Sequence, residues 1–496
     1  MRQILFGILI TYLVLLLLVL PVTAQKVTAD DARTVAENWV ALIIHQQGEW
    51  GESPTATIPD VQEFRRGDRL LGYFCPVSPQ GFLVISLRRE LAPVKAYSDT
   101  SNLDPYSEVG TASLIKDQMA EILDTIEREA GPVESVSSSS VTSLMEFNYL
   151  GAWDVLDTIP MVSEDPAEGI VADANYQMGG FLLSSSWDQP DPYNQWVPSP
   201  PVGSTCGDAH CYAGCGPVMA GQVMRYWAWP PYHDNPTHPY NWAAMPDSLS
   251  SSSTQTEIDA VARLLSEIGV EAGANYCNPD WAPCSTTTIF ADNLGKDILD
   301  TFEDHFRYST NAENRDRNDY SAIDWYNRIK NQINLNRPVP YQVEGHNIVS
   351  DGWKESIVGG VVVREWHMNY GWGGANNQFW NILDPLPLGN VNKEALLENI
   401  YPAQSLGSSL SGTYARQSFP YRYFDQDTSG SSAMFSAGQN LQFLPGVTVT
   451  STGSSIRFEG TNTLNTLLFT RGDQTKGIRI EDGTMKLYAG GDVKLS

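Results

Sequence analysis

The sequence is poor in basic residues, in cysteine and in long apolar runs. Its 31 Lys and Arg stand against 58 Asp and Glu, which gives a formal net charge of −27. That charge argues against nucleic-acid binding and against docking on anionic membranes. Only 6 cysteines are present, whereas 14 Trp, 22 Tyr and 16 Phe make the aromatic content too high for a disordered chain. We therefore expect a folded, acidic protein, and its 496 residues allow several domains.

The one long apolar run lies at the amino terminus. Arg2 precedes a run from Ile4 to Leu20, and the small residues Val22-Thr23-Ala24 follow it. This pattern predicts a signal peptide over residues 1–24, so we expect a secreted or extracellular protein. The run is nearly long enough to span a bilayer, which leaves an uncleaved signal anchor as the alternative. No second such run follows in the sequence, so we expect no membrane span after removal of the signal.

The cysteines fall into two close pairs and two isolated residues. Export into an oxidising compartment favours disulfides, and close pairs would each staple a short loop. The predicted disulfides are Cys206–Cys211 and Cys277–Cys284. The predicted free thiols are Cys75 and Cys215.

A zinc site is the rival interpretation of the same region. It would use Cys206, His210, Cys211 and Cys215. Structural zinc sites usually draw on two well-separated ligand pairs, and this crowded spacing lacks the second pair. The sequence therefore predicts neither a metal nor a cofactor.

Cys215 stands at the start of a predicted helix. Pro217 suits the first turn of a helix, and Met219, Val223 and Trp227 recur at the spacing of one apolar helix face. A thiol at a helix amino terminus feels the positive end of the helix dipole, which favours the thiolate. Cys215 is therefore the candidate nucleophile, and a buried core cysteine is the alternative interpretation.

A cysteine nucleophile needs a base, and His346 is the candidate. Residues 339–350 and 358–370 are strand-like, and Asp351-Gly352 is expected to begin the connection between them. A hairpin of these strands would bring His346 near Asn369.

His367 is the competing base. It lies two residues from Asn369 on the same strand and face, where side chains run parallel and do not meet head-on. The glycines of the run 369–374 predict a tight turn that lets another group approach closely. Trp372 in that turn would shield the hydrogen bond between His346 and Asn369 from water.

Five ordered motifs resemble the streptopain family of papain-like cysteine peptidases. They are Trp187–Asn194, Gly214-Cys215 with Ala220–Trp227 and Pro230, Leu264–Val270, Gly345-His346 with Asp351-Gly352, and His367–Gly374. The resemblance covers residues 181–402 well. It covers residues 27–105 more weakly, where Gly81–Ser86 and Ala92–Ser98 look like the family's inhibitory prodomain.

The resemblance implies an α+β fold with a papain-like catalytic domain, made of a helical half and an antiparallel β half, and an α+β prodomain. It also implies five residue roles: Cys215 as nucleophile, His346 as base, Gln189 as oxyanion-hole donor, Asn369 as the orienter of His346, and Trp372 as its shield. Proteins or peptides would be the substrates. The chain's own prodomain would be an intramolecular inhibitor.

The sequence departs from the family pattern in three places. Gly216-Pro217 follows the nucleophile where the family usually has a small apolar residue and alanine, and Tyr370 replaces a tryptophan. Cys277 and Cys284 bracket a segment where the family has a glycine- and serine-rich loop near the active site. We therefore expect a substrate pocket whose shape differs from that of other family members.

Composition divides the chain into six segments. Residues 1–24 form the signal, 25–145 the prodomain, 146–180 a linker and processing region, 181–402 the peptidase domain, 403–430 a linker and 431–496 a β-module. Within the prodomain, helices are predicted over residues 30–45 and 113–129, and strands over residues 70–96. The serine-rich stretch 135–143 is predicted to be an exposed, cleavable linker.

The last part of the sequence contains neither cysteine nor histidine after His367. Its short alternating apolar runs, separated by glycine turns, predict a small all-β module of solenoid type, which would serve in cell-surface attachment or stability. Arg471-Gly-Asp473 invites an adhesion hypothesis. The same tripeptide at residues 66–68 shows how readily it occurs by chance.

The function predicted from the sequence is that of a secreted cysteine endopeptidase made as a zymogen. Two alternatives remain. One is another Cys–His acyl-transfer enzyme, such as a leader-processing peptidase or a transglutaminase-like crosslinker. The other is an inactive homologue that binds surfaces.

Overall fold

The computed structural model describes most of the chain between residues 26 and 402. The described ranges are 26–158, 175–176, 181–230, 232–233, 238–281, 283–292, 296–373, 379–382 and 393–402, and, between 410 and 495, the backbone of nine strands. At 175–176 and 379–382 only the backbone is described. The predicted signal peptide, residues 1–24, lies outside the described residues.

The amino-terminal unit packs two helices on an antiparallel sheet. Helix α1 (Ala29–Gln47) begins at a capping box made by Thr28 and Asp31, and α2 spans Gly110–Glu129. The sheet strands are β1 (Gln62–Arg66), β2 (Arg69–Pro76), β3 (Phe82–Ser86) and β4 (Val94–Ser98). The predicted helices and strands of this region are confirmed.

The serine-rich stretch is not the exposed linker that its composition predicts. Ser137 caps a short helix, α3 (Ser138–Thr142), and both Val136 and Val141 are buried. Helix α4 (Leu150–Thr158) follows and packs on α1. The amino-terminal unit therefore continues to residue 158 because a few buried apolar side chains outweigh a run of serines.

One antiparallel sheet joins this unit to the β half of the second unit. Its remaining strands are β6 (Glu313–Asp316), β7 (Val339–Val343), β8 (His346–Val358), β9 (Val361–Asn369), β10 (Phe379–Ile382) and β11 (Ala395–Glu398). The order is β1-β2-β3-β4-β10-β9-β8-β7-β11-β6, and the short strand β5 (Asn175–Tyr176) pairs with β8. The junction is the antiparallel pair of β4 and β10.

The helical half of the second unit is built on α5 (Cys215–Trp227) and α6 (Gln255–Glu271). A 3₁₀ turn (Trp242–Ala244), a short helix α7 (Ile298–Asp300) and a π-helical turn (Thr301–His305) complete it. Helix α8 (Ala322–Asn334) instead packs on β7 and β8. The second unit thus divides into a helical half and a β half.

The described residues form two large hydrophobic cores. One is shared by the amino-terminal unit and the β half, with Trp39 and Tyr97 in the same cluster as Trp325 and Trp366. The other lies mainly within the helical half; its members include Trp187, Met219, Val223, Leu265 and Phe302.

The turns before and after the strand of His346 lie at other residues than predicted. Strand β7 ends at Val343, β8 begins at His346, and Val343 pairs with His346. The β8–β9 turn lies at Gly359-Gly360, while Asp351-Gly352 forms an irregularity within β8. Aspartate and glycine are turn residues by composition, but here the strand pairs continue on both sides of them.

The carboxyl-terminal strands alternate between two parallel sheets. One contains β12 (Leu410–Tyr414), β14 (Thr428–Ala437), β16 (Val449–Gly460), β18 (Ile478–Ile480) and β19 (Thr484–Tyr488); the other contains β13 (Tyr421–Phe424), β15 (Asn440–Phe443), β17 (Thr466–Phe469) and β20 (Asp492–Leu495). Such alternation is that of a two-sided β-solenoid. The strands begin at Leu410, inside the segment 403–430 that was predicted to be a linker.

Across the described residues, the helices are all too short or too polar to cross a membrane.

Candidate active site

A cleft of about 740 Å³ lies between the helical half and the β half. Cys215 lines it from one side and His346 from the other, with Gln189 and Trp372 also in its wall. Val109 and Gly110 of the amino-terminal unit reach the same cleft. The structure therefore brings four of the five predicted site residues to one cavity.

Cys215 is the first residue of α5. Gly214 precedes it with φ 96° and ψ 146°, a conformation that favours glycine and directs the chain into the helix. Burial raises the pKa of the Cys215 thiol, while backbone N–H groups at Asn347 and Gly216 act in the opposite direction. In the full-length chain burial dominates, so the thiol form is favoured near neutral pH.

His346 is the first residue of β8 and is buried. Its Nε2 lies 2.9 Å from the carbonyl oxygen of Tyr370. The Trp372 ring stacks on the imidazole, with 4.2 Å between the ring centroids and 16° between the planes. Burial lowers the pKa of His346 to about 4, so the ring is neutral near pH 7.

The Tyr370 carbonyl determines which ring nitrogen of His346 carries the proton. A carbonyl oxygen only accepts hydrogen bonds, so Nε2 is the protonated nitrogen and donates to Tyr370. Nδ1 is then the basic nitrogen. A backbone carbonyl makes this contact, so it does not depend on whether residue 370 is the tyrosine of this chain or the tryptophan of the family pattern.

Asn369 does not occupy the position predicted for it. Its Nδ2 donates to the Ser185 carbonyl at 2.8 Å, and its Oδ1 accepts from Gln222 at 3.0 Å and from the Gly371 backbone at 3.1 Å. The prediction that Asn369 contacts His346 is therefore wrong in this structure. Asn369 supports the turn from which the Tyr370 carbonyl and Trp372 reach His346.

Gln222 is a buried residue beside the candidate site that the sequence motifs did not single out. It is fully buried on α5, and its Oε1 accepts from the Trp187 backbone at 3.1 Å and from Ser185 Oγ at 3.2 Å. Together with its bond to Asn369, these contacts tie α5 to the turn beside His346. An amide seven residues after Cys215, between the apolar residues Gly221 and Val223, was the available signal.

Two glycines of the turn after Asn369 allow the close approach that the sequence predicts. Gly371 has φ 66°, and a Cβ there would lie 2.9 Å from Val218 of α5. Gly373 has φ 67°, and a Cβ there would lie 2.7 Å from the Asp188 carboxylate. A side chain at position 371 would push the turn away from α5, and one at position 373 would push it away from Asp188.

Gln189 is held close to the Cys215 segment by its backbone. Its carbonyl accepts from the Ala213 N–H at 2.9 Å, two residues before Cys215, and its own N–H donates to Asp188 Oδ1 at 2.8 Å. Gln189 is one of the residues that line the cleft.

The cleft wall beside Cys215 is fastened by two disulfides, but their pairing differs from the prediction. The bonds are Cys206–Cys284 and Cys211–Cys277, with Cys75 and Cys215 free. The two cysteine segments run alongside each other, so each cysteine meets a partner from the other segment. The disulfides also occupy two of the thiols that the rival zinc interpretation would have used.

The predicted competitor, His367, has other partners. Its Nδ1 lies 2.5 Å from Asp351 Oδ1, and Phe181 stacks on the ring with 3.6 Å between the centroids. It is buried and is not among the described residues of the cleft wall.

Two protein families match the chain, one over the second unit and one over most of the amino-terminal unit. Residues 187–380 match the peptidase C10 family, and residues 24–128 match the Spi protease inhibitor family.

The relatives include thiol protease/hemagglutinin PrtT of Porphyromonas gingivalis, 24% identical over 403 residues, and streptopain of Streptococcus pyogenes, 21% identical over 409 residues. The first alignment covers 76% of this chain and 41% of PrtT, so the chain spans less than half of that protein. The second covers 74% of this chain and 89% of streptopain.

A solved fragment of Prevotella intermedia prointerpain A is 18% identical, with a TM-score of 0.49, and covers 69% of this chain and 98% of the fragment.

Proposed function

Because this chain belongs to the peptidase C10 family of cysteine peptidases, we propose that it is a secreted endopeptidase, made as a latent precursor, in which Cys215 is the nucleophile. The observation that carries the proposal is that Cys215, His346 and Gln189 come from three separate segments and line one cleft. The match of the amino-terminal region to a protease inhibitor favours a peptidase over a crosslinking enzyme.

The first chemical step is proton transfer from the Cys215 thiol to Nδ1 of His346. The hydrogen bond from Nε2 to Tyr370 leaves Nδ1 as the acceptor, and the same bond supports the imidazolium once it forms. Trp372 covers the ring and keeps water from competing for the proton. The thiolate sulfur then attacks the carbonyl carbon of the scissile peptide bond.

The tetrahedral intermediate carries a negative oxygen that needs donors. The backbone N–H of Cys215, at the amino terminus of α5, and the side-chain amide of Gln189 supply them. His346 returns its proton to the leaving amine, the C–N bond breaks, and a thioester with Cys215 remains. Water hydrolyses that thioester, with His346 as base, and frees the second product and the thiol.

The amino-terminal unit acts as the intramolecular inhibitor in this proposal. Its sheet continues into the β half through β4 and β10, its hydrophobic core is shared with that half, and Val109-Gly110 lie at the cleft. The raised pKa of Cys215 and the lowered pKa of His346 keep both groups neutral in the full-length chain. Cleavage between residue 158 and Trp187 would release the inhibitor.

The test is to incubate purified precursor with denatured protein, with and without a thiol-alkylating epoxide. Proteolysis should begin after a cut between residue 158 and Trp187, and mass spectrometry should place the epoxide label on Cys215. Gln189→Ala should lower kcat about 100-fold and leave KM nearly unchanged, because one oxyanion donor is lost. An effect confined to KM, or full activity in the unprocessed precursor, would contradict the assignment.

The carboxyl-terminal strands are proposed to hold the enzyme at the cell surface. They begin at Leu410, after the last strand of the peptidase sheet, β11, and form sheets of their own. Ending the chain at residue 402 should leave peptide hydrolysis unchanged and release the enzyme into the medium. Loss of hydrolysis from a folded, shortened enzyme would assign the strands to the catalytic unit.

A further inference from the structure

Three metal-ligand side chains meet on the helical half, and none is among the described residues of the cleft wall. Glu271 is the last residue of α6, His305 is the last residue of the π-helical turn, and His233 lies in the loop after α5. Glu271 Oε1 lies 3.3 Å from His233 Nε2, and Glu271 Oε2 lies 3.1 Å from His305 Nδ1. The ligand atoms of the three side chains all lie within 4.8 Å of one another.

The loop that carries His233 is fixed by the residues that follow His305. The His233 ring stacks on Phe306, with 5.0 Å between the centroids. Arg307 donates to the carbonyl of Tyr232 at 2.6 Å and to the carbonyl of His233 at 2.8 Å. The His233 and Glu271 side chains are only 12% and 19% exposed, so the cluster is held from several sides and mostly shielded from water.

The spacing of the side chains leaves little to change for a metal ion to bind between them. Bonds of about 2.0–2.1 Å from zinc to nitrogen or oxygen place neighbouring ligand atoms about 3.3 Å apart. Each imidazole nitrogen already lies near that distance from one oxygen of the Glu271 carboxylate, at 3.3 Å from Oε1 and 3.1 Å from Oε2. The remaining separation, between the ligand nitrogens of His233 and His305, is within 4.8 Å. Rotation of the His305 ring, whose side chain is 38% exposed, would shorten it, and water from the exposed side would be the fourth ligand.

We propose that His233, Glu271 and His305 bind a zinc ion that braces the helical half. Two imidazoles and one carboxylate are a ligand set suited to zinc and less suited to calcium or magnesium, which prefer oxygen. The ion would add a bond between three segments that are distant in the sequence: the end of α6, the π-helical turn and the loop after α5. This site is independent of the proposed catalytic chemistry.

The experiment uses the full-length chain with Cys215→Ala, which removes the thiol of the cleft as a competing zinc ligand. Isothermal titration with zinc chloride should show one tight site, and zinc should raise Tm. Glu271→Gln keeps the shape of the side chain and removes its charge. Adding Glu271→Gln or His233→Ala should lower zinc affinity by at least about tenfold and abolish the rise in Tm.

His238→Ala is the matched control, because His238 is an exposed histidine close to His233 in the sequence. It should bind zinc as the parent does. Circular dichroism without zinc identifies any variant that fails to fold. If His233→Ala fails to fold, the zinc affinity of Glu271→Gln alone tests the proposal. Unchanged zinc affinity in folded Glu271→Gln, or equal stabilisation of the parent by calcium or magnesium, would overturn the proposal.

Discussion

Cys215 and His346, the proposed nucleophile and base, stand on halves of the peptidase unit that are stabilised in different ways. Cys215 belongs to the helical half, whose core is largely its own and whose cleft wall is fastened by two disulfides. His346 belongs to the β half, whose sheet and core continue into the amino-terminal unit. The inhibitor-like unit is thus built into the side that carries the base.

A buried polar cluster marks the junction on the base side. Lys354 of β8 donates to the Tyr97 hydroxyl of β4 and lies 3.4 Å from the Glu365 carboxylate of β9, with both charged side chains fully buried. Removal of the amino-terminal unit would uncover this pair together with an edge of the sheet. We therefore expect release of the inhibitor to alter the His346 side of the cleft more than the Cys215 side.

The largest effect on turnover is expected from removing the Cys215 thiol of the helical half or the His346 imidazole of the β half. Cys215→Ala and His346→Ala should each lower kcat/KM of the processed enzyme by about 1,000-fold or more, and the double variant should be no worse, since the two groups act as one unit. His367→Ala should cost stability rather than turnover, because His367 pairs with Asp351. An active His346→Ala beside an inactive His367→Ala would reverse the assignment of the base.

Removing the disulfide Cys211–Cys277 by substituting both cysteines with serine should weaken the helical half. The expected loss is about 2 to 4 kcal/mol in the free energy of unfolding, because the unfolded chain gains freedom. Thermal unfolding and limited proteolysis would measure it, with new cuts expected near residues 206–284. Cys75→Ala, in the core shared with the β half, is the contrasting control and should produce no new cuts in the helical half. If loss of the disulfide produced cuts only in the amino-terminal unit, the helical half would not be the part that the disulfide stabilises.

Tyr97→Phe should loosen the junction on the base side. It removes the hydroxyl that Lys354 contacts and leaves a buried ammonium with one acceptor fewer, a cost of about 1 to 3 kcal/mol. The precursor should then process itself faster, measured as the half-life of the full-length band on a gel. Tyr106→Phe changes an exposed tyrosine of the same unit and should process at the parental rate.

The last prediction concerns the pH dependence of thiol reactivity and changes no residue. Since burial raises the pKa of Cys215 and lowers that of His346 to about 4, the pair is neutral between pH 5 and pH 8 in the precursor. Alkylation of Cys215 by iodoacetamide should therefore rise about tenfold per pH unit over that range, as the thiolate fraction does. Alkylation that is independent of pH from 5 to 7 would show an ion pair already formed.

The position of Cys215 at the start of a helix was predictable because its signal is local. Glycine before Cys215, proline within the first turn and an apolar face over the next three turns specify a helix with the thiol at its start, and α5 has those bounds. The His346 segment was predictable as a strand. Its turns were not, since strand pairing continues through Asp351-Gly352 and turns at Gly359-Gly360 instead.

The disulfide pairing and the partner of His346 depend on contacts between distant segments. Nearness in sequence favours Cys206–Cys211, but the packing of two antiparallel segments decides for Cys206–Cys284. In the same way, the choice between Asn369 and the Tyr370 carbonyl as partner of His346 follows from the buried amide of Gln222, which engages Asn369. Side-chain chemistry alone does not reveal such competition.

The nested disulfides also bear on the working lifetime of an enzyme exposed to its own copies. Cys206–Cys284 encloses Cys211–Cys277, so a single break in the backbone anywhere between residues 206 and 284 leaves both pieces covalently joined. That interval includes Cys215, all of α5 and α6, and the loop with the exposed Trp281. A molecule nicked there by a neighbour would keep its fragments in place, and the damage would appear on a gel only after reduction.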